Sequence, residues 1–169
     1  MKFLLGDDHP ALLEKRVCTI QSLSGTGALR LGAEFIRKYM GGRKVYLPNP
    51  TWGNHNAIFS EVGMEIVQYR WYKADTCALD FEGLKEDMNN APEGSIILFH
   101  TCAHNPTGVD PTHEQWDELA ELCIQKKLIP FYETPEGKKW FDHFVSINVF
   151  YSILSIIHRS AFSLNIWKN

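Results

Sequence analysis

Short apolar runs alternate with amphipathic stretches along most of this chain, and the alternation constrains the fold more than any other feature. The runs at 45–47, 96–99 and 128–132 have the composition of strands, and apolar residues at 67, 69 and 71 alternate as in a strand. Helical spacing of apolar residues occurs at 28–40, 53–62, 81–88 and 113–123. Strands that alternate with helices form βαβ units, so the sequence predicts an α/β fold with a mostly parallel sheet and flanking helices.

Capping residues locate several helix ends. Asp80 stands just before the 81–88 stretch and predicts an N-cap. Thr112 and Gln115 have the spacing of a capping box, which predicts a helix start at Thr112. Gly41 and Gly42 end the 28–40 stretch. From about residue 133 the alternation of strands and helices is no longer visible.

Composition excludes several classes of function. The chain has 169 residues, 44% of them hydrophobic, and a net charge of -3, which gives no electrostatic reason to expect nucleic acid or an anionic membrane as a partner. The four cysteines include no Cys-x-x-Cys pair, which fits a reducing compartment. The first eight residues lack the pattern of a signal peptide. The uncharged run 144–157 is too short for a membrane span.

Three polar clusters follow strand-like runs or begin a predicted helix. Ser24-Gly25-Thr26-Gly27 begins the 28–40 helix, and free backbone N–H groups at a helix start suit a phosphate. Trp52 follows the 45–47 run, and an indole there can stack on an aromatic ring. His100, His104 and Asn105 follow the 96–99 run, at the sheet edge where α/β proteins bind ligands. These clusters suggest a pocket for a flat, phosphorylated cofactor.

Each cluster also has an ordinary structural interpretation. Ser24 or Thr26 could be an N-cap, Trp52 a packing residue, and Asn105 part of an Asx turn. No metal site is expected, because the spacing of the histidines supplies no third ligand. A Rossmann dehydrogenase is disfavoured, since Arg30 stands at the third glycine position of G-x-G-x-x-G.

Taken in order, the three clusters resemble those of the aspartate aminotransferases, which are pyridoxal-phosphate enzymes of fold type I. The resemblance covers about residues 3 to 132 and is carried by these strings: Ser24-Gly25-Thr26-Gly27-Ala28-Leu29-Arg30, Asn49-Pro50-Thr51-Trp52-Gly53-Asn54-His55, Ala91-Pro92-Glu93-Gly94-Ser95 and His100-Thr101-Cys102-Ala103-His104-Asn105-Pro106-Thr107-Gly108.

The resemblance implies a role for each matching residue. Ser24, Gly25 and Thr26 would hold the phosphate of pyridoxal 5'-phosphate. Trp52 would stack on its ring and touch the substrate carboxylate, and Asn105 would bond its phenolic oxygen and the same carboxylate. Two histidines, His55 and His100, would lie near the acid that pairs with the pyridine nitrogen. The family also implies cis peptide bonds at Asn49-Pro50 and Asn105-Pro106.

The sequence departs from the family pattern near its C-terminal end. Glu133 stands where the family has the aspartate that pairs with the pyridine nitrogen, and Glu136 stands where it has a tyrosine. No lysine lies in a string that matches the family's covalent lysine motif, and Lys168 does not match it convincingly, so no catalytic residue is assigned. We therefore expect a partial cofactor-binding large domain over residues 1–132 and a divergent tail over 133–169.

The family reaction transfers an amino group between L-aspartate and 2-oxoglutarate, and the family forms homodimers. Because the lysine is missing, we expect little transamination by this chain itself. The tail suggests a truncated, read-through or spliced product. The alternative is a non-catalytic fragment that binds cofactor weakly or pairs with a full-length homologue. A cytoplasmic location is expected, with a mitochondrial one as the alternative.

Overall fold

A computed structural model of the protein describes residues 7–16, 20–41 and 44–134. The helices and strands follow each other along the chain much as the apolar pattern predicts. In chain order they are α1 (Pro10–Leu13), α2 (Ser24–Tyr39), β1 (Lys44–Asn49), α3 (Asn54–Glu61), β2 (Glu65–Arg70), β3 (Tyr72–Lys73), β4 (Ala78–Leu79), α4 (Phe81–Asn90), β5 (Ile96–His100), α5 (His113–Lys126) and β6 (Ile129–Glu133).

Four strands form one sheet in the order β2-β1-β5-β6, and each neighbouring pair is parallel. Their carboxyl ends therefore lie at one edge of the sheet, which we call the carboxyl edge. The register places His100, the last residue of β5, opposite Glu133, the last residue of β6. Strands β3 and β4 form a separate antiparallel hairpin.

The sheet is covered on both faces. On one face, Leu29, Ala33 and Ile36 of α2 pack with α3 against inward side chains of β1 and β5. On the other face, residues of α4 and α5 form a second core with Tyr69, Phe99 and other strand residues. All five residues of β5 are buried, as expected for a central strand of a parallel sheet covered on both sides.

Helix α2 lies directly over β6 because Gly32 leaves room for a ring. A Cβ atom added at Gly32 would meet Cε2 of Phe131 at 2.6 Å. The ring of Phe131 in turn meets Phe59 of α3 edge-on, with centroids 6.0 Å apart. This contact fixes α2 against the strand whose end carries Glu133.

The predicted α/β architecture and its capping residues are confirmed. The side chain of Asp80 accepts from the N–H of Gly83, and Thr112 and Gln115 form both halves of a capping box. Gly41 follows α2 with φ +65. Among the described helices, none has the length and apolarity needed to cross a membrane. The run 144–157 lies outside the described residues.

Several predicted boundaries were wrong by one to four residues. Helix α2 begins at Ser24 rather than residue 28, because the small residues of the polar cluster form its first turn. The last strand runs Ile129–Glu133 rather than 128–132, and Trp71 lies just after β2 rather than inside it. Helix α1 and the β3–β4 hairpin were not predicted, since each is too short to show a period.

Candidate cofactor-binding site

The predicted site residues meet at the carboxyl edge of the sheet. Trp52 and His55 follow β1, Asn105 follows β5, and Glu133 ends β6. Helix α2 runs back from this edge to the start of β1, so its N-terminus also lies at the carboxyl edge. The predicted site residues, which are up to 109 positions apart in the chain, from residue 24 to residue 133, therefore lie at one edge of the sheet.

Glu133 is held by a hydrogen-bonded histidine. Its Oε2 lies 2.8 Å from Nε2 of His55, whose Nδ1 lies 2.7 Å from Oγ1 of Thr51. A carboxylate has no proton to give, so His55 donates through Nε2. His55 is fully buried, while the side chain of Glu133 keeps 29% exposure. The carboxylate is thus anchored from the protein side and accessible from the other.

A second histidine faces the same carboxylate oxygen. Nδ1 of His100 accepts a hydrogen bond of 3.1 Å from the backbone N–H of Asn105, and Nε2 of His100 lies 3.5 Å from Oε2 of Glu133. Burial lowers the pKa of His100 to about 4, so the ring is neutral near pH 7. A neutral ring that accepts at Nδ1 carries its proton on Nε2, which lies near Glu133 but makes no hydrogen bond among the described residues.

The position of the proton on His100 affects whether His55, His100 and Glu133 could bind a metal ion. Ligand atoms of His55, His100 and Glu133 lie within 4.8 Å of one another, which is a spacing that a metal ion could use. A histidine ligates through a nitrogen lone pair, but Nε2 of His100 carries a proton while Asn105 occupies Nδ1. The arrangement favours a carboxylate that accepts a hydrogen bond from His55 and lies close to His100 over a metal centre.

The carboxylate of Glu133 is ionised at neutral pH. Burial raises its pKa, but the hydrogen bond from His55 and the electrostatic influence of the two histidine rings lower it by more. The net pKa lies below the ordinary value of 4.5. The site therefore presents a fixed negative charge at the end of β6.

The sequence did not reveal the rings that support His100. His104 stacks on His100 with centroids 4.5 Å apart, and Trp71 stacks on the other face of His104, also at 4.5 Å. The backbone N–H groups of Ala103 and His104 both donate to Asp110, which holds the loop after β5. His104 stood in the motif without a role, and no local pattern pointed to Trp71 or Asp110.

Among the described residues, none accepts a hydrogen bond from the backbone N–H groups of Ser24, Gly25 or Thr26 in the first turn of α2. Its N-cap is Leu23, which makes no side-chain cap, so the interpretation of Ser24 or Thr26 as N-cap is wrong. Ser24, Gly25 and Thr26 are exposed in the first turn, and Ser24 has φ +56. Unpaired N–H groups at a helix start suit an anion such as phosphate.

The two turns that carry Trp52 and Asn105 share one backbone feature. The peptide bonds Asn49-Pro50 and Asn105-Pro106 are both cis, which confirms the prediction. Trp52 is half-buried, and its ring meets His55 edge-on at 5.3 Å. The side chain of Asn105 is exposed at the same edge. Trp52 and Asn105 thus contact the two histidines that lie next to Glu133.

Comparison with known proteins identifies the family. The family model described as "Aminotransferase class I and II" matches residues 1–133. The chain belongs to the class I and II aminotransferase family. Aspartate aminotransferase 1 of Medicago sativa is 52% identical over 133 residues, which are 79% of this chain and 32% of that protein. The resemblance to aspartate aminotransferases is thereby confirmed.

Solved aminotransferases have the same fold. The cytoplasmic aspartate aminotransferase of Saccharomyces cerevisiae matches with TM-score 0.76 and 44% identity, over 79% of this chain and 32% of that one. An aromatic-amino-acid aminotransferase of Burkholderia pseudomallei, covalently bound to pyridoxal phosphate, matches with TM-score 0.78 and 35% identity, over 96% of this chain and 39% of that one. These matches confirm the α/β fold of the aminotransferases.

The aminotransferase chain spans about a third of the length of the relatives it matches, at 32% and 33% of the first two. Relatives include proteins named as cytoplasmic, mitochondrial and chloroplastic aspartate aminotransferases, so the comparison leaves the compartment open.

Proposed function

We propose that this aminotransferase-family chain binds pyridoxal 5'-phosphate at the carboxyl edge, and that the site belongs to amino-group transfer between L-aspartate and 2-oxoglutarate. The observation that carries the proposal is the ionised carboxylate of Glu133, which is hydrogen-bonded to His55 and lies 3.5 Å from His100. A fixed carboxylate of this kind pairs with the protonated nitrogen of a pyridine ring.

The other groups at the edge fit the remaining parts of such a cofactor. The first turn of α2, at Ser24, Gly25 and Thr26, would bind the phosphate through its backbone N–H groups. The indole of Trp52 would stack on the ring and border the substrate carboxylate. The amide of Asn105 would donate to the phenolic oxygen and to the same carboxylate.

Glu133 also fits the site despite its extra methylene group. Its carboxylate reaches both histidines, and its side chain remains partly exposed at the edge. The substitution of glutamate for the aspartate of the family therefore preserves the charge. When bound, pyridoxal phosphate acts as an electron sink for the substrate Cα, and the protein's part here is to hold the ring nitrogen protonated.

Amino transfer requires a base close to the substrate Cα. No lysine of this sequence lies in a string that matches the family's covalent lysine motif. We propose that residues 1–132 are a partial cofactor-binding domain, and that 133–169 are a divergent tail. The chain by itself then binds cofactor non-covalently and catalyses little transfer. Amino acid and 2-oxo acid substrates, a homodimer and a cytoplasmic location are proposed on the family resemblance.

Calorimetric titration with pyridoxamine 5'-phosphate tests cofactor binding. This probe has no aldehyde, so it does not react with surface lysines. We expect binding by the full chain, and a loss of about tenfold or more in Glu133→Gln, because one charge-assisted hydrogen bond contributes about 1.5–3 kcal/mol.

The matched control is Glu93→Gln, which removes an exposed glutamate paired with Lys127 far along the chain from the site. It should bind the probe as the unaltered chain does. Equal affinity in Glu133→Gln, or no binding by the unaltered chain, contradicts the proposal. A transaminase assay with L-aspartate, 2-oxoglutarate and pyridoxal phosphate separately measures activity; rapid turnover would contradict the expectation of little catalysis.

A further inference from the structure

The loop between β5 and α5 carries Asn105, and one carboxylate holds the backbone just before it. Oδ2 of Asp110 accepts a hydrogen bond of 2.7 Å from the N–H of Ala103, and Oδ1 accepts one of 2.9 Å from the N–H of His104. The next N–H along the chain, that of Asn105, donates to Nδ1 of His100 at 3.1 Å. Three successive backbone N–H groups are therefore held by side chains.

The backbone at Ala103 depends on such support. Its φ of +51 lies in the left-handed region, which a residue with a Cβ atom rarely adopts unless its surroundings hold it there. The two hydrogen bonds to Asp110 lie at this turn. Without the carboxylate, Ala103 can return to an ordinary conformation, and the peptide groups that follow turn with it. The direction of the Asn105 side chain then changes as well.

Asp110 itself is attached to a fixed part of the fold. The carbonyl oxygen of the preceding residue, Val109, accepts a hydrogen bond of 3.1 Å from Nε1 of Trp71. Two residues after Asp110, Thr112 caps helix α5. That helix is anchored on the sheet by Trp116, which is buried in the core. The indole of Trp71 and the start of α5 thus fix the position of the carboxylate.

We propose that Asp110 is a positioning residue, which orients the amide of Asn105 toward the phenolic oxygen of the bound cofactor. This inference rests on the proposed function, which gives Asn105 that contact. Asp110 acts through the backbone of Ala103 and His104, so it needs no contact with the cofactor itself. Its loss should therefore remove the preference for a ligand with the phenolic hydroxyl group, and should leave the rest of the binding intact.

Calorimetric titration with two probes tests this role. One probe is pyridoxamine 5'-phosphate, and the other is the same compound without its phenolic hydroxyl group. The unaltered chain should bind the first about tenfold more tightly, which is the contribution of one hydrogen bond to a charged oxygen. In Asp110→Ala the preference should fall to about twofold or less, while the affinity for the second probe stays within about twofold.

Two further variants control this titration. Asp110→Asn keeps an oxygen that can accept from the loop, so it should restore part of the preference, and it carries the test if Asp110→Ala does not fold. Asp117→Ala removes an exposed aspartate of α5 and should keep the whole preference. An unchanged preference in Asp110→Ala, or an equal weakening of both probes, would overturn the proposal. So would equal affinity of the unaltered chain for the two probes.

A measurement without cofactor separates this inference from the proposed function. Failure of the unaltered chain to bind either probe would contradict the proposed function. Nitrogen NMR of isotope-labelled histidine rings then still tests the positioning, because Nδ1 of His100 accepts from the N–H of Asn105. We expect this resonance to shift in Asp110→Ala and to stay in place in Asp117→Ala. A resonance that also stays in place in Asp110→Ala would show that Asp110 does not hold Asn105.

Discussion

At the residue scale, His104 links the site to the stability of the fold. Its ring lies between those of Trp71 and His100, and its Nε2 finds no hydrogen-bond partner among the described residues. Burial, and then the nearby His100 and His55, lower the pKa of His104 to about 3. Burial likewise lowers the pKa of His100 to about 4. Both rings are therefore neutral in the folded protein and charged in the unfolded chain below pH 6.5.

These shifts predict that acid destabilises the protein. Between about pH 6.5 and pH 4 the unfolded chain binds more protons than the folded one, so the free energy of unfolding falls as the pH falls. Each of the two histidines contributes up to about 1.4 kcal/mol per pH unit in this window. Urea denaturation at several pH values measures the slope.

His104→Phe should reduce that slope, since phenylalanine can occupy the place between Trp71 and His100 without a titrating group. Thr76→Ala, in the exposed turn between β3 and β4, changes no titrating group and is the control; it should leave the slope unchanged. An unaltered slope in His104→Phe would contradict the assignment of acid sensitivity to this ring stack.

At the scale of single elements, α2 depends on one glycine. Alanine normally stabilises a helix interior by about 0.5–1 kcal/mol relative to glycine. At Gly32 the added Cβ would lie 2.6 Å from Phe131, whose ring is held against Phe59, so we expect Gly32→Ala to destabilise the protein by about 1–3 kcal/mol. Gly25→Ala, where nothing lies within 4 Å, is the control for thermal unfolding. A Gly32→Ala protein as stable as the control would contradict the close packing of α2 on β6.

Helix α5 gives a second test at this scale. The hydroxyl of Thr112 accepts from the N–H of Gln115, and the Gln115 side chain accepts from the N–H of Thr112. Thr112→Ala should lower the free energy of unfolding by about 1 kcal/mol, because it leaves a helix donor without its cap. Thr76→Ala, in the exposed turn between β3 and β4, should change stability little in the same urea titration. Equal effects of the two substitutions would contradict a specific capping role.

These elements also show what the sequence can predict. The Thr112–Gln115 spacing and the 3.6-residue period determine local hydrogen bonds and burial, so α5 and its start could be predicted from neighbouring residues. The pairing of His55 with Glu133 joins residues 78 positions apart, and the stack of Trp71 on His104 joins two different loops. The order of the strands in the sheet brings these residues into contact. That order cannot be read from the spacing of neighbouring residues in the sequence.

At the scale of the whole molecule, the sheet should differ in stability from its centre to its edges. Strand β5 has β1 on one side and β6 on the other, whereas β2 and β6 each have one neighbour among the described strands. The hairpin β3–β4 has only two residues in each strand. Amides open locally with a free energy that rises with burial and with the number of paired neighbours.

Amide hydrogen exchange should therefore be slowest in β5 and β1, faster in β6 and β2, and fastest in the β3–β4 hairpin. This order of exchange rates follows from strand pairing, since an edge strand can separate without breaking the hydrogen bonds between the central strands. Exchange followed by mass spectrometry at pH 7 measures each strand in peptides of the full chain. If β6 exchanged as slowly as β5, its outer edge would be paired by another strand, and the four-strand sheet would be part of a larger one.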